Sequence, residues 1–86
     1  MSVYAARQFL RSAISDAGLR KSLNACMTLP DLQQELEARQ LLFTADELDD
    51  AWYNSLTLCA NESEALRLRE TVVWFQMLVN LLQEAI

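Results

Sequence analysis

The stretch TVVWFQMLVNLL, residues 71–82, decides the fold, because nine of its twelve side chains are apolar and both flanks are strong helix formers. At helical spacing, the apolar positions in and around it form two stripes. The first stripe is Leu68, Val72, Phe75, Val79, Leu82 and Ile86, and the second is Leu66, Val73, Met77 and Leu81, with Trp74 and Leu78 beside it. A surface helix needs only one stripe, so this pattern predicts a C-terminal helix over residues 62–86 that is covered from several sides.

Side chains suited to helix N-caps divide the rest of the chain into short helices. They stand at Ser2, at Ser15 or Asp16, at Thr28, at Thr44 and at Asn61. Thr44 is the clearest of them, because Glu47 follows three residues later and completes a capping box. Thr28 is followed by Pro30 in the first turn and by Asp31 at the acid position, and Glu64 stands at the equivalent place after Asn61.

Apolar side chains recur at helical spacing after each cap and predict the core. The predicted stripes are Val3, Ala6, Phe9, Leu10, Ala13, Ile14 and Ala17 in the first helix, Leu19, Leu23 and Met27 in the second, Leu32, Leu36 and Leu41 in the third, and Leu48, Ala51, Trp52, Ser55, Leu56 and Cys59 in the fourth. Phe43, just before the fourth cap, is expected to pack onto Leu48. The expected fold is therefore an all-α bundle of four to five short helices with a long apolar C-terminal helix.

Length and composition support one helical domain over residues 1–86. The 86-residue chain has a single Gly and a single Pro, whereas β-hairpins depend on such residues for their turns. Its hydrophobic fraction of 52% is enough for a core and argues against disorder. A chain of this length buries only about 60–65% of its unfolded surface, so spare apolar surface is expected to be covered by a partner.

Charge and hydropathy narrow the class of partner. The net charge is −5, and residues 31–64 carry nine acidic side chains against Arg39 alone, which argues against nucleic acid. The longest uncharged run, residues 71–83, is shorter than the ~20 residues that a membrane-spanning helix needs. The N-terminal residues, interrupted by Arg7 and Arg11, do not form a signal peptide, so a cytoplasmic location is expected.

The residue types that carry enzyme and cofactor chemistry are scarce. The chain has no His and one Lys, Lys21, so general base catalysis lacks its usual groups and we expect no enzyme activity and no cofactor. Cys26 and Cys59 are interpreted as two ordinary buried thiols, with a disulfide or a metal site shared with a partner as alternatives. The remaining candidate is an acidic cluster that is interpreted as a solvated first helical turn, or else as a partner-facing patch or a divalent metal site: Asp46, Glu47, Asp49 and Asp50.

Two further features suggest contacts with other proteins. Arg7 and Arg11 are expected to lie one turn apart on the first helix, opposite its apolar stripe. They are interpreted as a solvated face or as a pair that binds an acidic partner. Trp52 and Trp74 are of the type that fills cores and also anchors interfaces. From the second stripe of the last helix we predict the partner-binding residues Val73, Trp74, Met77, Leu78 and Leu81.

Residues 2–51 resemble the Nif-eleven family of short helical domains, which is named from nitrogen-fixation gene clusters and also occurs as leader segments of ribosomally made peptides. The motif residues are Phe9, Leu10, Leu19, Leu23, Phe43, Thr44, Glu47 and Leu48. The resemblance implies a bacterial setting and a link to nitrogen fixation or peptide modification. Gln40 stands where the family usually has Gly, and no Gly follows Gly18, so we expect a stand-alone member without a Gly-Gly cleavage site.

The sequence thus predicts a small non-enzymatic accessory protein that binds a protein partner or itself through apolar helix faces. One alternative is a leader or precursor of a ribosomally made, post-translationally modified peptide. A second alternative is a structural dimerisation subunit or regulator.

Overall fold

Five helices follow the caps in chain order in the computed structural model, which describes residues 2–84. They are α1 (Val3–Ser15), α2 (Ala17–Asn24), α3 (Leu29–Ala38), α4 (Ala45–Thr57) and α5 (Glu62–Glu84). Helix α1 packs against α2, α4 and α5, while α5 also contacts α3 and α4. The predicted all-α bundle of four to five helices is confirmed.

Every predicted cap position opens a helix, and the structure selects Asp16 over Ser15 for α2. The Asp16 carboxylate accepts hydrogen bonds from the backbone N–H groups of Gly18 and Leu19, at 2.9 and 3.3 Å. Ser15 instead donates its hydroxyl to the carbonyl of Arg11 at 3.0 Å. The hydroxyl oxygens of Ser2 and Thr28 accept the N–H groups three residues further on. Each cap satisfies a donor that the first helical turn leaves free.

The start of α4 carries a reciprocal pair of hydrogen bonds, and the start of α5 carries two bonds of a similar kind. Thr44 accepts the N–H of Glu47 at 3.2 Å, and the Glu47 carboxylate accepts the N–H of Thr44 at 2.8 Å. At α5, Asn61 accepts the N–H of Glu64 at 3.0 Å, and Glu64 accepts the N–H of Ala60 at 2.7 Å. Both predicted N-termini are therefore confirmed.

Three phenylalanines from distant parts of the chain meet at the centre of the core. The ring centroid of Phe9 on α1 lies 4.7 Å from that of Phe75 on α5 and 5.0 Å from that of Phe43. Phe43 and Phe75 are 5.6 Å apart. Around the three rings lie the other buried apolar residues, among them Ala6, Leu10, Ala13, Leu19, Leu23, Leu32, Leu36, Leu48, Ala51, Leu68, Val72, Leu78 and Leu82.

The end of α3 explains why Leu41, which the predicted stripe included, lies outside the helix. Gln40 has a φ of 60°, in the left-handed region, and this turns the chain out of the helix. The N–H of Leu41 then donates to the carbonyl of Leu36 at 2.8 Å, and the N–H of Gln40 to that of Glu37 at 3.0 Å. These two bonds define a Schellman motif, which usually places Gly where this chain has Gln40.

Several residues of the predicted stripes lie elsewhere, because helices end earlier than the apolar pattern indicated. Helix α2 ends at Asn24, so Met27 falls in the connection to α3 and is 77% exposed. Ala17 opens α2 instead of closing α1 and is exposed. Helix α4 ends at Thr57, which leaves Cys59 beyond its last turn, and Leu56 is exposed on its surface.

Candidate protein-binding face on helix α5

The first apolar stripe of α5 forms its core side. Leu68, Val72, Phe75 and Leu82 are buried, and Val79 is half-buried against them. Ile86, predicted as the last member of this stripe, lies outside the described residues. Because these residues recur at helical spacing, they lie on the one side of α5 that faces the rest of the bundle.

The second stripe is exposed to solvent, and we name its four residues, Leu66, Val73, Met77 and Leu81, the outer face. Their exposed fractions are 55%, 44%, 60% and 63%. The bundle therefore covers one side of α5 and leaves the other side uncovered. The prediction that α5 would be covered from several sides is wrong for the chain on its own, because the four shorter helices lie against one side only.

Trp74 and Leu78 mark the edge between the outer face and the core. Leu78 is buried, whereas Trp74 is half-buried. The Trp74 indole Nε1 donates a hydrogen bond to the Asn24 side-chain oxygen at 2.9 Å. This bond fixes the indole between α5 and the end of α2, so its ring forms a wall beside the exposed stripe.

A groove of about 500 Å³ runs along this edge. It is lined by Asn24, Leu66, Arg69, Glu70, Val73, Trp74, Met77, Leu78 and Leu81. Among the side chains that the structure describes, the charged ones in the lining are Arg69 and Glu70, which have opposite signs. The described part of the groove is therefore mainly apolar and its charges balance, on a protein whose net charge is −5.

The structure brings all five predicted partner-binding residues to this one groove, although their exposure differs. Val73, Met77 and Leu81 present their side chains to solvent, while Trp74 and Leu78 line the inner edge. Four lining residues were not among those predicted for the site: Asn24, Leu66, Arg69 and Glu70. Leu66 belonged to the recognised stripe and could have been included, whereas no pattern in the sequence singles out Asn24, whose role depends on the packing of α2 against α5.

The residues on which the resemblance to the Nif-eleven family depends contribute to the fold. Phe9, Leu10, Leu19, Leu23 and Leu48 are buried, and Phe43 is half-buried among the aromatic rings. Thr44 and Glu47 cap α4 through the reciprocal hydrogen bonds described above. Trp52, like Trp74, is half-buried against the core.

Both cysteines are free thiols and are half-buried, not fully buried as predicted. Each lies near a helix end and is directed at a backbone carbonyl one turn earlier. The Cys26 sulfur is 3.6 Å from the Ser22 oxygen, and the Cys59 sulfur is 3.3 Å from the Ser55 oxygen. Burial raises the pKa of the Cys26 thiol, and the negative charges of Glu35 and Asp31 add to this increase.

The acidic cluster at the start of α4 is partly exposed and partly used in the helix cap. Asp46, Asp49 and Asp50 are exposed, while Glu47 is engaged in the cap. Within residues 2–84, no three acidic, Cys or His side chains are grouped so that they could hold a metal ion. Within the same range, no helix has the length and apolar content needed to cross a membrane.

Comparisons with protein-family models, with curated proteins and with solved structures each gave no match. The resemblance to the Nif-eleven family therefore stays a prediction from the sequence.

Proposed function

We propose that this chain is a small non-enzymatic accessory protein that binds protein through the outer face of α5, and that a second copy of the chain occupies this face. The observation that carries the proposal is the exposure of Leu66, Val73, Met77 and Leu81 in one row. Glu70 lies between Leu66 and Val73 in this row, whereas Val73, Met77 and Leu81 follow one another turn by turn. Clustered exposed apolar side chains next to a groove are typical of protein-interaction surfaces.

The charge of the face supports a second copy as the occupant. Two molecules with a net charge of −5 repel each other over most of their surfaces. The groove along α5 is an exception, because the charges of Arg69 and Glu70 cancel. Two copies can therefore meet at this face without electrostatic repulsion between like-charged patches.

The spacing along α5 also suits a twofold-symmetric contact. In such a contact, residues equidistant from the axis meet their counterparts on the other copy. An antiparallel pair of α5 helices, with the axis between Val73 and Trp74, brings Leu66 of one copy against Leu81 of the other. The apolar ends of the row then cover each other, and the Trp74 rings lie beside the axis.

The size of the face predicts a weak dimer. The 23 residues of α5 extend over about 35 Å, at 1.5 Å per residue. A contact made mainly by one helix from each copy is smaller than the roughly 800 Å² per partner of a standard stable interface. We therefore expect a dissociation constant in the micromolar range.

Sedimentation velocity on the wild type and two matched variants tests the role of this face. Met77→Asp places a charge in the middle of the outer face, and because Met77 is 60% exposed the monomer fold tolerates it. Tyr53→Asp is the control, since Tyr53 is 65% exposed on α4. We expect the wild type and the control to dimerise with rising concentration, and Met77→Asp to remain a monomer. Equal dimerisation of all three proteins would assign the contact to another surface and overturn the proposal.

The proposed link to nitrogen fixation or peptide modification depends on the sequence resemblance alone. Genes for either process beside the gene of this protein would support it. A gene setting without either process would leave the outer face as a dimerisation surface and remove the pathway from the proposal.

A further inference from the structure

A second groove gathers positive charge. Helix α1, the end of α4 and the first turns of α5 enclose a space of about 450 Å³. Arg7 and Arg11 border it from α1, and Arg67 borders it from α5. We name this space the arginine groove. It joins three of the seven basic residues of a chain that is acidic as a whole.

The three guanidinium groups have no acidic partner within residues 2–84. The one ion pair in this part of the chain joins Arg39 to Glu35, at 2.9 Å, on α3. Glu64 is the one acidic side chain that lines the described groove, and it keeps its negative charge while its carboxylate accepts the N–H of Ala60 at 2.7 Å, so three positive groups face one negative group. The groove therefore carries an excess of positive charge that the bundle does not neutralise.

The floor between the arginines is apolar, so Arg7 and Arg11 border the apolar stripe of α1 and do not lie opposite it as the sequence predicted. Leu10 and Leu68 form its buried part, and Ile14 is half-buried beside them. Leu58, at the end of α4, is 70% exposed at the rim. A ligand that fits this arrangement combines negative charge with an apolar group. A free inorganic anion would leave the apolar floor uncovered.

We propose that the arginine groove binds an acidic protein segment in which two carboxylates flank an apolar side chain. Arg7 and Arg11 are four residues apart on α1, a rise of about 6 Å. Carboxylates four residues apart on a partner helix have the same rise, so they can meet the two guanidinium groups in pairs. Arg67 faces the same space from α5, and the apolar side chain lies on the floor. Guanidinium groups suit carboxylates because they offer planar pairs of donors.

The acidic residues of the chain reduce this attraction without cancelling it. Three guanidinium groups line the groove against one carboxylate, that of Glu64. On α4, Asp46 lies nine residues from Ser55, which borders the groove, or roughly 13 Å along the axis, and Asp50 lies five residues from it, or about 7.5 Å. Only the first distance exceeds the Debye length of about 8 Å at physiological ionic strength, so Asp46 acts weakly on a ligand in the groove and Asp50 more strongly.

Fluorescence anisotropy with a defined pair of peptides tests this proposal. The probe is a labelled helical peptide with two Glu residues four positions apart and a Leu three positions after the first Glu, so that all three lie on one face. Its counterpart has Gln in place of both Glu residues. The protein variants are Arg7→Gln combined with Arg67→Gln, and Lys21→Gln as a control on α2, each verified by circular dichroism to be folded. We expect the Glu peptide to bind more tightly than the Gln peptide, and the double variant to bind it about three- to tenfold more weakly.

The peptide titration is also run on Met77→Asp, which alters the outer face and leaves the arginine groove unchanged. The affinity of the groove is thereby measured independently of the outer face. Equal affinity for the Glu and Gln peptides, or an unchanged affinity in the double variant, would overturn the proposal. A single-stranded oligonucleotide of matched charge serves as a third probe. If it binds more tightly than the Glu peptide and loses affinity in the double variant, the ligand is a phosphate backbone and the carboxylate proposal is wrong.

Discussion

The indole Nε1 of Trp74 donates a hydrogen bond to the side-chain oxygen of Asn24 at 2.9 Å, across 50 residues of sequence. Asn24 is the last residue of α2, and Trp74 lies in the middle of α5. The bond gives the indole one orientation and makes its ring a fixed wall of the outer groove. The interaction surface thus depends on a contact between two elements that no local pattern connects.

Removing this bond should loosen the wall at a modest cost in stability. Asn24→Ala leaves the indole N–H to water, and because the bond is exposed we expect a loss of about 0.5–1 kcal/mol in the free energy of unfolding. Asn54→Ala is the matched control, since Asn54 is exposed on α4. Urea unfolding measures both. Equal stability of the two variants would mean that the bond does not hold Trp74 in place.

The capping box of α4 should contribute more through Thr44 than through Glu47. Thr44→Ala removes the acceptor for the Glu47 N–H and should cost about 1 kcal/mol, the usual loss for an N-cap residue. Glu47→Ala should cost less, because the freed N–H of Thr44 is exposed and can bind water. Ser63→Ala, at an exposed site in the first turn of α5, is the control. Unchanged melting temperatures for both cap variants would contradict the assigned start of α4.

Gln40→Gly should stabilise the protein. Gln40 adopts a φ of 60°, and an L-residue with a Cβ is strained there, whereas Gly is not. We expect a gain of about 0.5–1 kcal/mol in the free energy of unfolding. Gln34→Gly, at an exposed site inside α3, should instead lose about 1 kcal/mol, because Gly weakens a helix interior. A loss of stability in Gln40→Gly would show that the chain does not turn left-handed at this residue.

The thiols should be replaceable without loss of the fold. Cys26→Ala and Cys59→Ala should each cost roughly 1 kcal/mol, as expected for small half-buried apolar side chains. In the Cys59→Ala variant, alkylation of Cys26 should have a higher pH midpoint in the folded protein than in urea, because burial raises the pKa of its thiol. The stability that accompanies this shift is present at lower pH and is lost as the pH rises through the pKa of the folded state. Equal midpoints in the two states would contradict the burial of this thiol.

Local signals in the sequence predicted the helices well, because caps act within a few residues. Thr44 and Glu47 specify the start of α4 through contacts three residues apart, which the sequence displays directly. The helix ends were harder to predict. The turn after α3 is made by Gln40, whose left-handed conformation goes against its own preference and accompanies the hydrogen bonds of the Schellman motif. Without a Gly to mark the end, the apolar spacing carried the predicted stripe on to Leu41.

The functional surfaces were predictable to different degrees. The outer face appeared in the sequence because Val73, Met77 and Leu81 share one side of a helix. The stripe of α5 that faces the core was not identified from the sequence. The unbroken apolar spacing of the first stripe, compared with the second stripe, which Glu70 interrupts, is the signal that favoured the first. The packing of α1, α3 and α4 decides between them. Likewise, Arg7 and Arg11 were visible as a pair, but their proximity to Arg67 follows from the packing of α1 against α5.

The solution mass of the wild-type chain tests the central claim most directly. Light scattering coupled to size exclusion should be run from low to high micromolar concentration, under reducing conditions so that Cys26 and Cys59 do not link copies covalently. If the outer face of α5 binds a second copy, the measured mass rises with concentration towards twice that of one chain. A constant monomer mass at high micromolar concentration would contradict self-association and leave Leu66, Val73, Met77 and Leu81 without a second copy as their partner.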